Sequence, residues 1–227
     1  MLQIADDVFQ LALTPRDGVN AYLVGDLLVD TGIKQSLKKL RTALAGRTIS
    51  AIVLTHAHVD HAGSVAALAA EQNVPVWTGA ADKEATETGD PVPGAPLQRP
   101  VLRTIGGYLG SFDGTDVART LTEGDEIGPG FTVLDTPGHS PGHISLWRAS
   151  DRTLICGDVF NNMNLITTVP GLHQPPSLFN VDSARNRESE RKLAALSPTT
   201  MAVGHGPVLR DGTAAKLQAF IAALPAG

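Results

Sequence analysis

Cysteine is nearly absent from this sequence, since Cys156 is the only one in 227 residues. A single cysteine cannot form an internal disulfide, which excludes a disulfide-stabilised secreted scaffold. The first residues, MLQIADDVFQLAL, have no cationic start and carry two aspartates, unlike a secretory signal peptide. We therefore expect a cytoplasmic protein in which Cys156 is a small buried hydrophobe.

Aromatic residues and basic charge are also in short supply. The chain has six Phe, two Trp and two Tyr, so its core must consist mainly of aliphatic side chains. No apolar run approaches the ~18 residues that a membrane-spanning helix needs, so we expect no membrane partner. Against 23 acidic residues there are 18 basic ones and no basic stripe, which disfavours nucleic acid as a partner.

Strand and helix patterns alternate twice along the chain. VNAYLVGDLLVDTG predicts a hairpin that turns at Gly25-Asp26, and AIVLT (51–55) predicts a strand buried on both faces. Helices are predicted near 33–45, near 80–88, near 182–196, after Ser64 and in GTAAKLQAFIAALP. We expect Ser64 to cap the helix that follows it and Glu188 to pair with Lys192 at i,i+4. The alternation predicts an α/β fold, a four-layer αββα sandwich, in a single domain over residues 1–227.

The segment 89–118 is predicted to be irregular. It contains GDPVPGAPLQRP, in which four prolines in twelve residues exclude a regular helix or a central strand. Long loops inside compact domains are usually functional. We expect this segment, with Arg99, Arg103 and Tyr108, and the segment 159–181 to select the substrate.

Three histidines and an aspartate lie within HAHVDH (56–61), directly after the predicted strand 51–55. Side chains two residues apart in an extended segment point the same way, so His56 and His58 can face one point. Asp60 and His61 follow where the chain bends into a helix, and they can face a neighbouring point. The spacing predicts a turn that offers ligands to two adjacent metal ions.

Three further candidate ligands also follow predicted strands. His139 follows FTVLDT, Asp158 follows TLICG and His205 follows TTMAVG. Ligands in open α/β folds collect at the carboxyl ends of strands, so we expect these side chains to converge on the first cluster. We expect His143 to support a neighbouring ligand and His173 to be a loop residue.

HAHVDH, followed in order by TPGHSPGH, CGDVF and GHGPV, resembles the metallo-β-lactamase superfamily of metallohydrolases. The resemblance extends from about residue 20 to about residue 210 and implies the αββα sandwich. It also implies a ligand set in which His56, His58 and His139 hold one metal ion, Asp60, His61 and His205 hold a second, and Asp158 bridges the two.

The bridging aspartate is typical of the thioesterases, lactonases and phosphodiesterases of this superfamily rather than of its β-lactamases. THAHVDHAG and TPGHSPGH resemble the glyoxalase II-like branch, which hydrolyses thioesters of glutathione. Imidazole and carboxylate ligands suit two Zn²⁺ ions, with iron or manganese possible. We expect a metal-bridging hydroxide to attack a small thioester, ester or lactone, with Asp60 passing a proton to the leaving group.

Two alternatives share the motif. Iron-dependent persulfide dioxygenases use one metal ion, and they often carry cysteine at the position of His143. Phosphodiesterases use two metal ions, but the acidic charge of this chain disfavours a nucleic-acid substrate. Thr55, Asp135 and Ser140 lie close in sequence to the ligands and are candidates for fixing the imidazole tautomers.

Overall fold

The computed structural model describes residues 1–91 and 111–224. Arg99, Arg103 and Tyr108, which the sequence suggests as substrate contacts, lie outside the described residues. The strands are β1 (Leu2–Ala5), β2 (Val8–Ala12), β3 (Asn20–Val24), β4 (Leu27–Val29), β5 (Ala51–Leu54), β6 (Val76–Gly79), β7 (Val117–Leu121), β8 (Glu126–Ile127), β9 (Phe131–Asp135), β10 (Ile144–Arg148), β11 (Thr153–Ile155), β12 (Asn161–Met163), β13 (Pro170–His173) and β14 (Thr200–Ala202). The helices are α1 (Leu37–Ala43), α2 (Val59–Ala62), α3 (Val65–Gln72), α4 (Lys83–Thr88), α5 (Ser183–Ala195) and α6 (Thr213–Ala222).

The strands form a seven-stranded sheet, β1 to β7 in chain order, and a five-stranded sheet in the order β14-β11-β10-β9-β8. Strands β12 and β13 pair separately as a small hairpin. In the described residues, no helix is both long and apolar enough to cross a membrane.

Three buried clusters define four layers. One packs the outer face of the seven-stranded sheet against α1 and α3, through residues such as Leu40 and Leu68. The second joins the two sheets face to face and includes Val53 of one and Val133 of the other. The third packs the five-stranded sheet against α5 and α6, where Leu193 lies. Helix, sheet, sheet and helix therefore follow one another, and the predicted αββα sandwich is confirmed.

Strand β5 shows why the sequence produces this arrangement. Its Ile52 points into the helix-side cluster, whereas Val53 points into the cluster between the sheets. Successive side chains of a strand point to opposite faces, so a strand apolar at every position is buried on both sides. The hairpin predicted at Gly25-Asp26 is also present, between the antiparallel strands β3 and β4.

Some local expectations are wrong in detail. Ser64 precedes helix α3, but its hydroxyl donates to the Ile33 carbonyl at 2.8 Å rather than capping the helix. Lys192 does not pair with Glu188, because its Nζ lies 2.7 Å from Oε2 of Glu123. The hairpin β12–β13 is not predicted, because its strands lack apolar alternation.

Candidate metal centre

Strand directions bring the predicted ligands to one edge of the sandwich. Strands β9 and β11 both run antiparallel to β10, and β14 runs parallel to β11, so β9, β11 and β14 share one direction. Their carboxyl ends therefore meet at one edge, where the turns carrying His139, Asp158 and His205 begin. Strand β5 of the other sheet ends at the same place, since the Thr55 carbonyl accepts from Ile144 N at 2.9 Å.

The seven predicted side chains lie together at this edge. Within each of three groups, the nitrogen and oxygen atoms available to a metal ion all lie within 4.8 Å of one another. The groups are His56, His58 and His139; His56, His61 and Asp158; and Asp60, His61 and His205.

Asp158 lies between the two outer groups. One of its carboxylate oxygens is 3.4 Å from Nε2 of His61, and the other is 3.5 Å from Nε2 of His139. That second oxygen is also 3.0 Å from Nε2 of His205. One carboxylate therefore reaches histidines of both outer groups, which is the position that a bridging ligand requires.

Several buried atoms at this centre have no hydrogen-bond partner within the described chain, namely Nε2 of His56, Nε2 of His61 and Oδ1 of Asp158. Leaving buried polar atoms unpaired costs free energy, so each such atom in a native structure calls for an explanation. All three are lone-pair donors aimed at the interior of the cluster. Coordination of two cations would satisfy them, and imidazole with carboxylate is a donor set that zinc and iron accept.

Asp30 fixes the orientation of two of the histidines. Its Oδ2 lies 2.8 Å from Nδ1 of His61, which therefore donates, leaving Nε2 with its lone pair. The same oxygen accepts from the Thr55 hydroxyl at 2.8 Å, and that hydroxyl lies 3.0 Å from Nδ1 of His56. Asp30 thus sets the tautomer of His61 directly and that of His56 through Thr55.

Other partners orient the remaining imidazoles. Nδ1 of His139 donates to the side-chain oxygen of Asn180 at 2.7 Å, and Nδ1 of His205 donates to the Gly18 carbonyl at 2.6 Å. Nδ1 of His58 lies 2.9 Å from Nε2 of His139. Because Nδ1 of His139 carries the proton that Asn180 accepts, Nε2 of His139 has a free lone pair next to Nδ1 of His58. Two nitrogen ligands of one cation would lie close together in this way.

The charges at the centre fall into two classes. Burial and the neighbouring His58 lower the pKa of His139 to about 3, and burial with His61 lowers the pKa of His56 well below its usual value. At the other end, Asp158 and Asp60 outweigh burial and raise the pKa of His205 to about 10. Neutral imidazoles therefore surround one half of the centre, and carboxylates that attract positive charge surround the other.

His143 supports the centre rather than facing it. Its Nδ1 donates to the Thr136 hydroxyl, at 2.9 Å, and its Nε2 accepts from the backbone N–H of Asp158 at 3.1 Å. The ring stacks on His56 with centroids 5.0 Å apart. His143 thereby fixes the turn on which Asp158 lies.

The other residues singled out by the sequence lie further from the centre. Ser140 donates to Asp82, whose other contacts hold backbone N–H groups of Ala57 and Gly142. Asp135 is exposed and contacts no ligand through its carboxylate, whereas the next residue, Thr136, does reach His143. The expectation that His173 is a loop residue is wrong, because it is the last residue of β13. Neither His173 nor the fully buried Cys156 belongs to a group of possible metal ligands among the described residues.

A glycine permits the close approach of Asp158. A Cβ added at Gly204 would lie 2.0 Å from Oδ1 of Asp158 and 2.6 Å from Cε1 of His61. Any side chain at this position would therefore displace two of the candidate ligands. The turn before His205 is open enough for them only because residue 204 is glycine.

A cavity of about 380 Å³ lies near the loop that holds His205, and none of the seven candidate ligands lines it. Its walls are Arg16 and Asp17, residues 163 and 167–170 of the β12–β13 hairpin, and Pro207. The Asp17 carbonyl accepts from the backbone N–H of Gly206 at 2.7 Å, next to His205. The segment 159–181 therefore provides five of the eight residues that line this cavity.

The family model for the metallo-beta-lactamase superfamily matches residues 14–205. The chain belongs to the metallo-beta-lactamase superfamily. The match contains all seven converging side chains and every strand from β3 to β14.

Superfamily members with similar sequences include a probable metallo-hydrolase of Bacillus subtilis, YybB, which is 30% identical over 90% of both chains. A hydroxyacylglutathione hydrolase of Rhodospirillum rubrum is 30% identical over 69% of this chain and 47% of its own length. The crystal structure of TTHA1623 in a di-iron-bound form superimposes with a TM-score of 0.68 at 30% identity, covering 91% of this chain and 96% of the other.

Sequence reasoning does not identify Asp30, Asn180 or Asp82 as partners of the centre. A signal exists for Asp30, because it directly follows the apolar strand β4, as the ligands follow their strands. No local pattern marks Asn180, which lies 41 residues beyond the His139 that it orients.

Proposed function

We propose that this protein is a dinuclear metal-dependent hydrolase that acts on a small thioester, ester or lactone. The observation that carries the proposal is the convergence of five imidazoles and two carboxylates, with buried lone pairs of His56, His61 and Asp158 left for cations. His56, His58 and His139 would hold one ion, and Asp60, His61 and His205 the other, with Asp158 between them. Zinc is the first candidate, and the di-iron relative makes iron the second.

When bound, such a pair of cations supplies a polarising charge for a carbonyl oxygen and activates water near neutral pH. The residues of this chain hold the pair and fix its position. Thr55, Asp30 and Asn180 keep the imidazole protons on the outward-facing nitrogens. The nucleophile is then water, and no serine or cysteine is required; burial raises the pKa of the Cys156 thiol, which makes it a poor nucleophile.

Asp60 is the candidate for proton transfer. Its side chain is 31% exposed, against 5% for Asp158, so it is the carboxylate that a substrate can approach. Although burial raises its pKa, the hydrogen bond from His205 outweighs this effect and holds the pKa below its usual value. Asp60 is therefore ionised at neutral pH and can accept a proton and pass it to the leaving group.

Support for a thioester substrate comes from the hydroxyacylglutathione hydrolase relative. We also propose a cytoplasmic location, because the single cysteine cannot form an internal disulfide. Such a location is consistent with a small metabolite as the substrate.

The test combines metal analysis with a substrate panel. The purified protein should carry about two metal ions per chain, as two-metal hydrolases do. It should also hydrolyse S-lactoylglutathione or a homoserine lactone faster than nitrocefin or bis-p-nitrophenyl phosphate. Turnover of the phosphodiester alone would move the assignment to phosphodiesterases. One iron per chain with oxygen consumption on a persulfide would move it to the dioxygenases.

A further inference from the structure

Glu190 is a buried acid that the proposed reaction does not use. It lies in helix α5, and its side chain is 0% exposed, whereas its helix neighbours Glu188 and Lys192 face solvent. A buried carboxylate destabilises a fold unless it is paired, and an apolar residue would fit a helix face of this kind. The contacts of Glu190 therefore call for an explanation.

Two neutral amides bind the Glu190 carboxylate. Nε2 of Gln174 donates to its Oε2 at 2.9 Å, and Nδ2 of Asn186 donates to its Oε1 at 3.1 Å. The nearby positive charges are Arg187 and Arg191 on the same helix, and the loop packed against the helix contributes the uncharged Gln174. Burial outweighs these contacts and raises the pKa of Glu190 to about 7.

The side-chain amide of Asn186 connects Glu190 to the turn after Asp158. Nδ2 of Asn186 also donates to the Val159 carbonyl, at 3.2 Å. Because one amino group serves both acceptors, the negative charge of Glu190 keeps the amino end of the Asn186 amide toward Val159. Oδ1 of Asn186 is buried with no partner in the described chain, so only these two bonds set the orientation of the amide.

The side-chain amide of Gln174 connects Glu190 to the segment beside His139. Gln174 begins the connection from β13 to α5, and this connection contains Asn180, which accepts from Nδ1 of His139 at 2.7 Å. Further along it, Val181 N donates to the His139 carbonyl at 3.2 Å. Glu190 thus fixes one end of the segment that orients His139.

We propose that Glu190 is a positioning residue for the metal centre, which through Asn186 and Gln174 holds the Asp158 turn and the His139 turn in one arrangement. The proposal rests on the metal centre of the proposed function. His139 and Asp158 belong to different groups of ligands, so a change at Glu190 alters the geometry between them. Protonation converts one carboxylate oxygen of Glu190 from an acceptor into a donor. If the Asn186 amide then rotates, its unpartnered Oδ1 can accept from this donor. The bond to Val159 is then lost.

The test is the zinc affinity of the whole folded protein, measured by competition with a chromophoric chelator. Glu190→Leu removes both bonds, and we expect at least about tenfold weaker Zn²⁺ binding, the size of effect seen when partners of metal ligands are lost. Leu193→Ala is the matched control, because it opens a cavity in the same helix without contacting the centre. We expect it to lower thermal stability while leaving zinc affinity unchanged.

Glu190→Gln provides a second variant that keeps the size of the side chain but resembles its protonated form, because one of its two terminal atoms donates instead of accepting. Relative to wild type, its zinc affinity should match at pH 6 and be lower at pH 8, by about threefold or more, because only the wild-type carboxyl loses a proton and then offers two acceptor oxygens. Wild-type affinity in Glu190→Leu would overturn the proposal. If that variant does not fold, a constant ratio between wild type and Glu190→Gln at the two pH values overturns it. A wild-type protein that binds no zinc overturns the proposed metal centre instead.

Discussion

At the scale of single residues, the centre depends on side chains of unequal exposure. The imidazoles of His56 and His61 are fully buried, whereas Asp60 remains partly open to solvent. Buried ligands are needed to form the site, and an accessible carboxylate is needed to meet a substrate. Substitution of the accessible residue should therefore separate activity from folding.

We expect Asp60→Ala to reduce turnover by more than ~100-fold while the protein stays folded, because Asp60 is both a proposed ligand and the proposed proton acceptor. Its removal leaves His205 with Asp158 as a partner, 3.0 Å away, so the turn keeps a contact. Initial rates on S-lactoylglutathione and far-UV circular dichroism check the two parts. Full activity in the folded variant would remove Asp60 from the reaction.

Asp30 allows a sharper test of how an imidazole is oriented. Its carboxylate accepts from Thr55 N, the Thr55 hydroxyl and Nδ1 of His61. Asn at this position has one acceptor oxygen, so its amino group would face a donor. We expect Asp30→Asn to weaken Zn²⁺ binding by about 10–100-fold in a competition titration. Asp26→Asn, at an exposed turn of the same hairpin, should bind zinc as wild type does.

At the scale of elements, the sequence predicts a structural feature when the residues that determine it are neighbours in the chain. Strand β5 and the turn HAHVDH are contiguous in sequence, and both their structure and the direction of their ligands follow from neighbouring residues. Asp30 could have been identified by the same strand-end rule. Asn180 and Glu190 could not, because their roles depend on partners 41 and 16 residues away that only the folded chain brings into contact.

Gly204, just beyond the end of strand β14, leaves space for two candidate ligands of the metal centre. Substitution with alanine would place a Cβ 2.0 Å from Oδ1 of Asp158, so the carboxylate must move away from the ligands. We expect Gly204→Ala to lose about one of two metal ions per chain, measured by elemental analysis after dialysis, because the bridging position is disturbed. The matched control is Gly46→Ala, where the added Cβ meets nothing within 4 Å and only backbone strain at φ +73° is added. Equal metal content in the two variants would contradict this account.

At the scale of the whole molecule, the centre joins the two sheets, since its ligands follow strands of both. Metal binding should therefore stabilise the entire fold. A ligand that binds only the folded state adds about 4 kcal/mol at 1,000 times its dissociation constant. We expect the thermal midpoint of the chelator-treated protein to rise with added Zn²⁺ in a concentration-dependent way, by differential scanning fluorimetry. A midpoint independent of zinc would indicate that the centre does not link the sheets energetically.

Glu190 should make the stability of the metal-free protein depend on pH. Burial raises its pKa from 4.5 to about 7 in the folded state, so between these values the folded protein binds a proton that the unfolded chain has released. Stability is therefore lost as pH rises from about 4.5 to about 7, by up to about 3 kcal/mol. Glu190→Gln cannot ionise and escapes this loss.

The free energy of unfolding of Glu190→Gln, minus that of wild type, should thus increase from pH 5 to pH 8 in urea titrations with chelator present. Both proteins carry the same residues at the metal centre, so the subtraction isolates the contribution of Glu190. The same subtraction with Glu188→Gln, at an exposed position of the same helix, should give a constant near zero. A pH-independent difference for Glu190→Gln would mean that the carboxyl ionises as readily inside helix α5 as in the unfolded chain. An increase of this difference with pH would instead show that the ionised Glu190 destabilises the fold. Such a cost in stability is expected of a residue whose role is to position other groups.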